Sequence, residues 1–119
     1  METILLEVAS ATIAEEVSGQ VVVHELQDVL DYVGNAYYQG AEGVILHEEN
    51  LGPDFFRLET GLAGELLQKF AQYGVKLAIV GDFAKYDSNS LNALIRESNR
   101  GSQVFFVPDR ESAIARLIR

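Results

Sequence analysis

The chain has 119 residues, 48% apolar and 23% charged, the balance of an ordinary globular domain that can bury its own core. It contains no cysteine, which removes disulfides, thiolate chemistry and cysteine-ligated zinc or iron–sulfur sites. No apolar run approaches the roughly 20 residues that cross a bilayer, and the acidic start METILLEVAS lacks the basic region of a signal peptide, so a cytoplasmic bacterial protein without membrane association is expected.

The formal charge of −9 is unevenly spread. Residues 1 to 56 hold eleven acidic residues and no Lys or Arg, while all nine basic residues lie between Arg57 and Arg119. An acidic protein repels polyanions, so nucleic acid is not the expected partner. A nucleic-acid module would need a continuous basic groove from Arg57, Lys76, Lys85, Arg96 and Arg100.

In chain order, Ile4 to Val8 and Thr12 to Val17 read as strands around the small turn Ala9-Ser10-Ala11. Val21 to Val23 leads into a helix on which Leu26, Val29, Leu30, Val33 and Tyr37 recur at helical spacing, and Gly40 ends it. From Gly43 the pattern alternates. The strands are Gly43–Leu46, Val75–Val80 and Val104–Val107, apolar throughout but for Lys76, as strands covered on both faces require. The spacing predicts one helix from Pro53-Asp54 with the stripe Phe55, Leu58, Leu62, Leu66 and Phe70, closed by Gly74. A third helix spans Ser88 to Arg100, with Leu91, Leu94 and Ile95 inward. A last one follows the N-cap Asp109 and buries Ala113, Ile114 and Leu117. The result is one α/β domain over residues 1–119, a mostly parallel sheet with an antiparallel N-terminal strand pair.

The order β-β-α-β-α-β-α-β-α resembles the anti-sigma-factor-antagonist (STAS) and SpoIIAA-like fold. The runs HEENLGPDFFRLETGLAGELLQKFAQYGVKLAIVGDFAKY and SNSLNALIRESNRG also look like a bacterial family known as a domain of unknown function (DUF4180-like), over nearly the whole chain. That family brings a fold and no assigned activity. STAS domains carry a phosphorylated Ser in Asp-Ser-Ser/Thr-Gly-Leu. Aligned on Gly61-Leu62, the chain has Leu58-Glu59-Thr60-Gly61, so the resemblance implies a switch that is absent or replaced by the fixed charge of Glu59, with Thr60 keeping a hydroxyl.

In parallel α/β sheets, ligands bind beyond the carboxyl ends of the strands. His47-Glu48-Glu49-Asn50, Gly81-Asp82-Phe83 and Pro108-Asp109 should meet there. His47, Glu49 and Asp82 are the catalytic candidates, His47 as a general base; on an extended chain Glu48 would point away from them. The alternative role for His47 is to hydrogen-bond the strand end while the glutamates are solvated. The spacing matches no metal motif, and neither metal nor cofactor is expected. Asn50, Lys85, Ser88 and Ser90 are the ligand-binding candidates, since helix starts attract anions, although Asp87 and Ser88 equally read as helix caps. Gly61 and Gly64 suggest close packing of their helix on the sheet, or a homodimer contact. Tyr38 or Phe56 is expected to rim a pocket or an interface. The reading favoured is a regulatory binding domain, acting on a protein partner, a second copy or a small ligand. The competing one is a small metal- or water-dependent hydrolase-like enzyme at the sheet rim.

Overall fold

The computed structural model describes residues 2–119. Five strands stand side by side in chain order: β1 (Thr3–Val8), β2 (Ala11–Glu16), β3 (Gly43–His47), β4 (Lys76–Val80) and β5 (Val104–Val107). β1 and β2 are antiparallel; the other three pairings are parallel. Their parallel connections run through the helices α1 (Leu26–Tyr38), α2 (Pro53–Phe56), α3 (Leu62–Tyr73) and α4 (Asn89–Arg100), and α5 (Arg110–Leu117) follows the last strand.

The alternation of the strands divides the interior in two. On one face Ala14, Val44, Leu46, Leu77, Ile79, Val104 and Phe106 pack against α1, α3 and α4 through Val29, Val33, Leu66, Phe70, Leu94 and Ile95. On the other, Ile13, Ile45, Ala78, Phe105 and Val107 receive α5 through Ala113 and Leu117. Buried sequences without period-2 polarity follow from this double cover. Among the described residues no helix is long and apolar enough to cross a membrane.

The helix expected to run unbroken from Pro53 to Gly74 is divided. α2 ends after one turn, Leu58–Thr60 forms a 3₁₀ turn, and Gly61 turns left-handed at φ 79° before α3 starts. Thr60 explains the break: its hydroxyl contacts the carbonyls of Asp54 (2.6 Å) and Arg57 (2.9 Å) and accepts from the Leu62 amide (3.3 Å). A local side-chain bond has outcompeted the helical ladder. Close packing of Gly64 does not occur either. A Cβ there would meet nothing within 4 Å. Val21–Val23 is likewise more than a lead-in, because Val23 is fully buried and forms a parallel bridge to Leu51.

Candidate functional site

β3 delivers its last residue, His47, to the carboxyl-terminal rim of the sheet, and the chain then tightens into a 3₁₀ turn, Glu48–Asn50. Asn50 makes the turn. Fully buried, it accepts from the His47 amide through Oδ1 (2.7 Å) and donates to the Gln20 carbonyl through Nδ2 (2.9 Å). His47 answers it, its side chain facing the Asn50 amide in a reciprocal cap. His47 Nε2 lies 3.0 Å from Glu15 Oε2 on β2, and Glu15 Oε1 accepts from Arg110 Nε of α5 at 2.8 Å. Glu15 is buried between them, with a polar partner on each carboxylate oxygen and the fixed charge of Arg110 on one of them.

Glu48 points the other way, across the end of β4. It takes an ion pair from Lys85 Nζ (2.7 Å), the Tyr86 hydroxyl (2.5 Å) and the Asp82 amide (3.2 Å). Burial pushes the Glu48 carboxyl up, but Lys85, Tyr86 and the Asp82 amide outweigh it and hold the group below the usual carboxylate range. The same pairing, added to burial, raises the Tyr86 hydroxyl well above its ordinary value. Gly81 permits this contact, because a Cβ there would lie 2.7 Å from Glu48 Cβ and 2.8 Å from Oε1.

These groups edge a depression of about 760 Å³ beyond β3 and β4. Its wall is aromatic: Phe56 and Tyr86 stack with centroids 4.7 Å apart and planes 13° from parallel. Leu51, Pro53 and Val80 add apolar surface, and Arg57, Lys85, His47 and Glu49 stand on the margin.

The rim loops therefore meet, but through Glu48, not through the three catalytic candidates together. Glu49 is exposed, and Asp82 is also exposed, its carboxylate accepting from the Ala84 amide (3.3 Å) inside its own turn. Among the described residues no group of three or more His, Asp or Glu is placed to hold a metal ion. Of the ligand-binding candidates, Lys85 alone lines the depression. Asn50 is enclosed as a clamp, Ser88 caps α4 by accepting from the Leu91 amide (3.2 Å), and exposed Ser90 lies in the first turn of that helix. The basic groove does not form. Lys76 opens β4 and Arg100 ends α4, at the opposite pole from Arg57 and Lys85. Sequence reasoning missed Glu15, Arg110 and Tyr86, for which neither spacing nor motif gives a signal.

A family model described as "Domain of unknown function (DUF4180)" matches residues 8–117. The chain belongs to that family. The match spans β2 to α5, so the rim of this family member, from Glu15 to Arg110, lies wholly inside it. No curated protein and no solved structure matches the chain.

Proposed function

We propose that the protein acts by binding, as a STAS-like regulatory domain of the cytoplasm that takes a small ligand or a segment of a protein partner in the depression beside β3 and β4. One observation carries this reading: His47, Glu48 and Asn50 are bonded to partners within the protein, while the stacked Phe56 and Tyr86 leave apolar surface open to an incoming group. A preformed concavity with few polar groups around an aromatic wall is the usual form of a binding site. Arg57 and Lys85, exposed at its margin, suit an occupant with an aromatic or aliphatic body and a polar end.

The competing reading, a small enzyme using His47, Glu49 and Asp82, is favoured by the place of His47 at the edge of the depression and by its hydrogen bond to buried Glu15. Against it, both ring nitrogens of His47 already face internal partners, and Glu49 and Asp82 do not converge on it.

Fragment screening by amide-resolved NMR tests the proposal. Binders are expected to perturb residues 47–57 and 80–86 together, and Phe56→Ala is expected to weaken them at least tenfold, as loss of a stacked aromatic anchor should. Binders that cluster elsewhere, or that ignore Phe56→Ala, would overturn it.

A further inference from the structure

The two edges of the sheet are treated differently. On β5 the outward-facing residue Phe106 has both backbone groups covered by one side chain: Asn99 Oδ1 accepts from its amide (2.8 Å) and Asn99 Nδ2 donates to its carbonyl (3.1 Å). A carboxamide of α4 thus occupies the place of a sixth strand. Open edges invite pairing with other chains, and such covers are how folded proteins suppress it.

Among the described residues β1 has no such cover. Val17 donates to the Glu2 carbonyl (2.9 Å), which sets the phase of the hairpin: even-numbered residues of β1 bond inward to β2, and Thr3, Leu5 and Glu7 turn their amides and carbonyls outward. Among the described residues nothing bonds to those outward groups. The strand pairs without interruption from Thr3 to Val8, so it has no bulge, and its sequence TILLEV offers neither Pro nor Lys. Ile4 and Leu5 are 43% and 52% exposed, one on each face. α5 packs chiefly over β3, β4 and β5, which leaves Ile4, Leu6 and Val8 in line beside Ile13.

We propose that β1 is the contact surface for a second copy of this chain, joined edge to edge and antiparallel about a two-fold axis through Leu5. The sequence of the strand is what selects this occupant. With Leu5 opposite Leu5 of the other copy, Thr3 lies opposite Glu7, a hydroxyl against a carboxylate, and Ile4 lies opposite Leu6 on the α5 face. No like charges oppose each other, every outward group of Thr3, Leu5 and Glu7 finds a partner, and the apolar row on the α5 face continues across the seam. The two five-stranded sheets become one of ten. Each copy carries −9, so long-range repulsion opposes the contact and added salt strengthens it. A basic peptide adding to the same edge would show the reverse salt dependence.

Sedimentation analysis over a concentration series, at low and high salt, tests the proposal. The native chain is expected to form a dimer whose affinity rises with salt. Leu5→Pro removes an amide that points away from β2, so it should leave the dilute monomer folded while weakening the dimer about tenfold or more, through two lost hydrogen bonds. Register is read separately. The chain has no cysteine, so Leu5→Cys should self-cross-link with a short bifunctional maleimide. Glu7→Cys should not, because its two copies would lie roughly 14 Å apart along the seam. A protein that stays monomeric, a dimer indifferent to Leu5→Pro, equal cross-linking of both cysteines, or an edge that takes only a basic peptide and loses it with salt would each overturn the proposal.

Discussion

Glu15 and His47, 32 residues apart in sequence, are held 3.0 Å apart by the parallel pairing of β2 with β3. The contact closes a chain that begins at Arg110, so the first, second and last β–α units of the domain are tied at one buried carboxylate. Either His47→Ala or Arg110→Ala leaves Glu15 one partner; the double substitution leaves it none. Half-exposed Arg110 alone should cost under about 1 kcal/mol. The double variant is expected to lose more than the two single losses together, with a coupling of about 0.5–3 kcal/mol, because a buried carboxylate without a donor bears its full desolvation penalty. Urea unfolding of the four proteins measures it. Strict additivity would remove the three-residue link from the account.

Gly81 and Glu48 give the second expectation. A methyl group at Gly81 would overlap Glu48 Cβ and Oε1, so Gly81→Ala should force that side chain off Lys85 and Tyr86 and cost about 1–3 kcal/mol. Trimming the obstacle should restore most of the loss: Gly81→Ala with Glu48→Ala is expected to be more stable than the sum of the two single effects. Thermal denaturation of the set checks this. A Gly81→Ala protein as stable as the parent would show that the contact yields freely.

The same pair predicts how stability varies with pH. The Glu48 carboxyl is held below its ordinary value of 4.5, and Glu16, where burial is outweighed by hydrogen bonds from Ser18, the Glu2 amide and the Tyr32 hydroxyl, is lowered too. For a group with a depressed native value the unfolded chain binds the proton first, so its stabilisation is complete above pH 4.5 and is lost as pH falls through the lower native value. Tyr86 works in the opposite sense. Burial and Glu48 raise its hydroxyl above 10.0, so its contribution is complete below pH 10 and disappears as pH rises through the native value. Urea midpoints should therefore form a plateau between these limits. In Glu48→Gln the acid limb should become shallower, and the alkaline loss, which still begins near pH 10, should be smaller and end sooner. An unchanged alkaline limb would detach Tyr86 from Glu48.

What was legible in the sequence followed from periodicity and local chemistry. Apolar runs marked β3, β4 and β5, helical spacing marked α1, α4 and α5, and Ser88 and Asp109 were readable as caps because a cap acts on its own chain three residues on. The rule that ligands gather beyond parallel strand ends brought positions 47 and 82 together, and the Glu48 bond to the Asp82 amide joins them. Glu48 was set aside because the sequence reads as an extended chain at that point. Residues 48–50 curl into a 3₁₀ turn, which carries Glu48 over Gly81 instead of away from it. The break at Gly61 was missed because the apolar stripe continues across it, Phe55 below and Leu62 above, both buried. Glu15 and Arg110 were beyond reach of the sequence, since their pairing depends on strand order and not on spacing.

The β1–β2 hairpin carries the last expectation. Its two-residue turn, Ala9-Ser10, adopts positive φ at both positions, 51° and 68°. This is the mirror-image turn whose twist suits a tight hairpin, and it favours Asn-Gly, since residues with a Cβ pay for the left-handed region. Ala9→Asn with Ser10→Gly should stabilise the domain by about 0.5–1 kcal/mol, because the strain is relieved while the ladder from Val8–Ala11 to Thr3–Glu16 is untouched. The gain should appear as a higher urea midpoint with an unchanged slope. Amide exchange should slow along the inward-bonded residues Ile4, Leu6 and Val8. Were exchange to slow only at the turn, the hairpin would be opening as a unit independent of its ends, and the edge formed by β1 would be held by β2 alone.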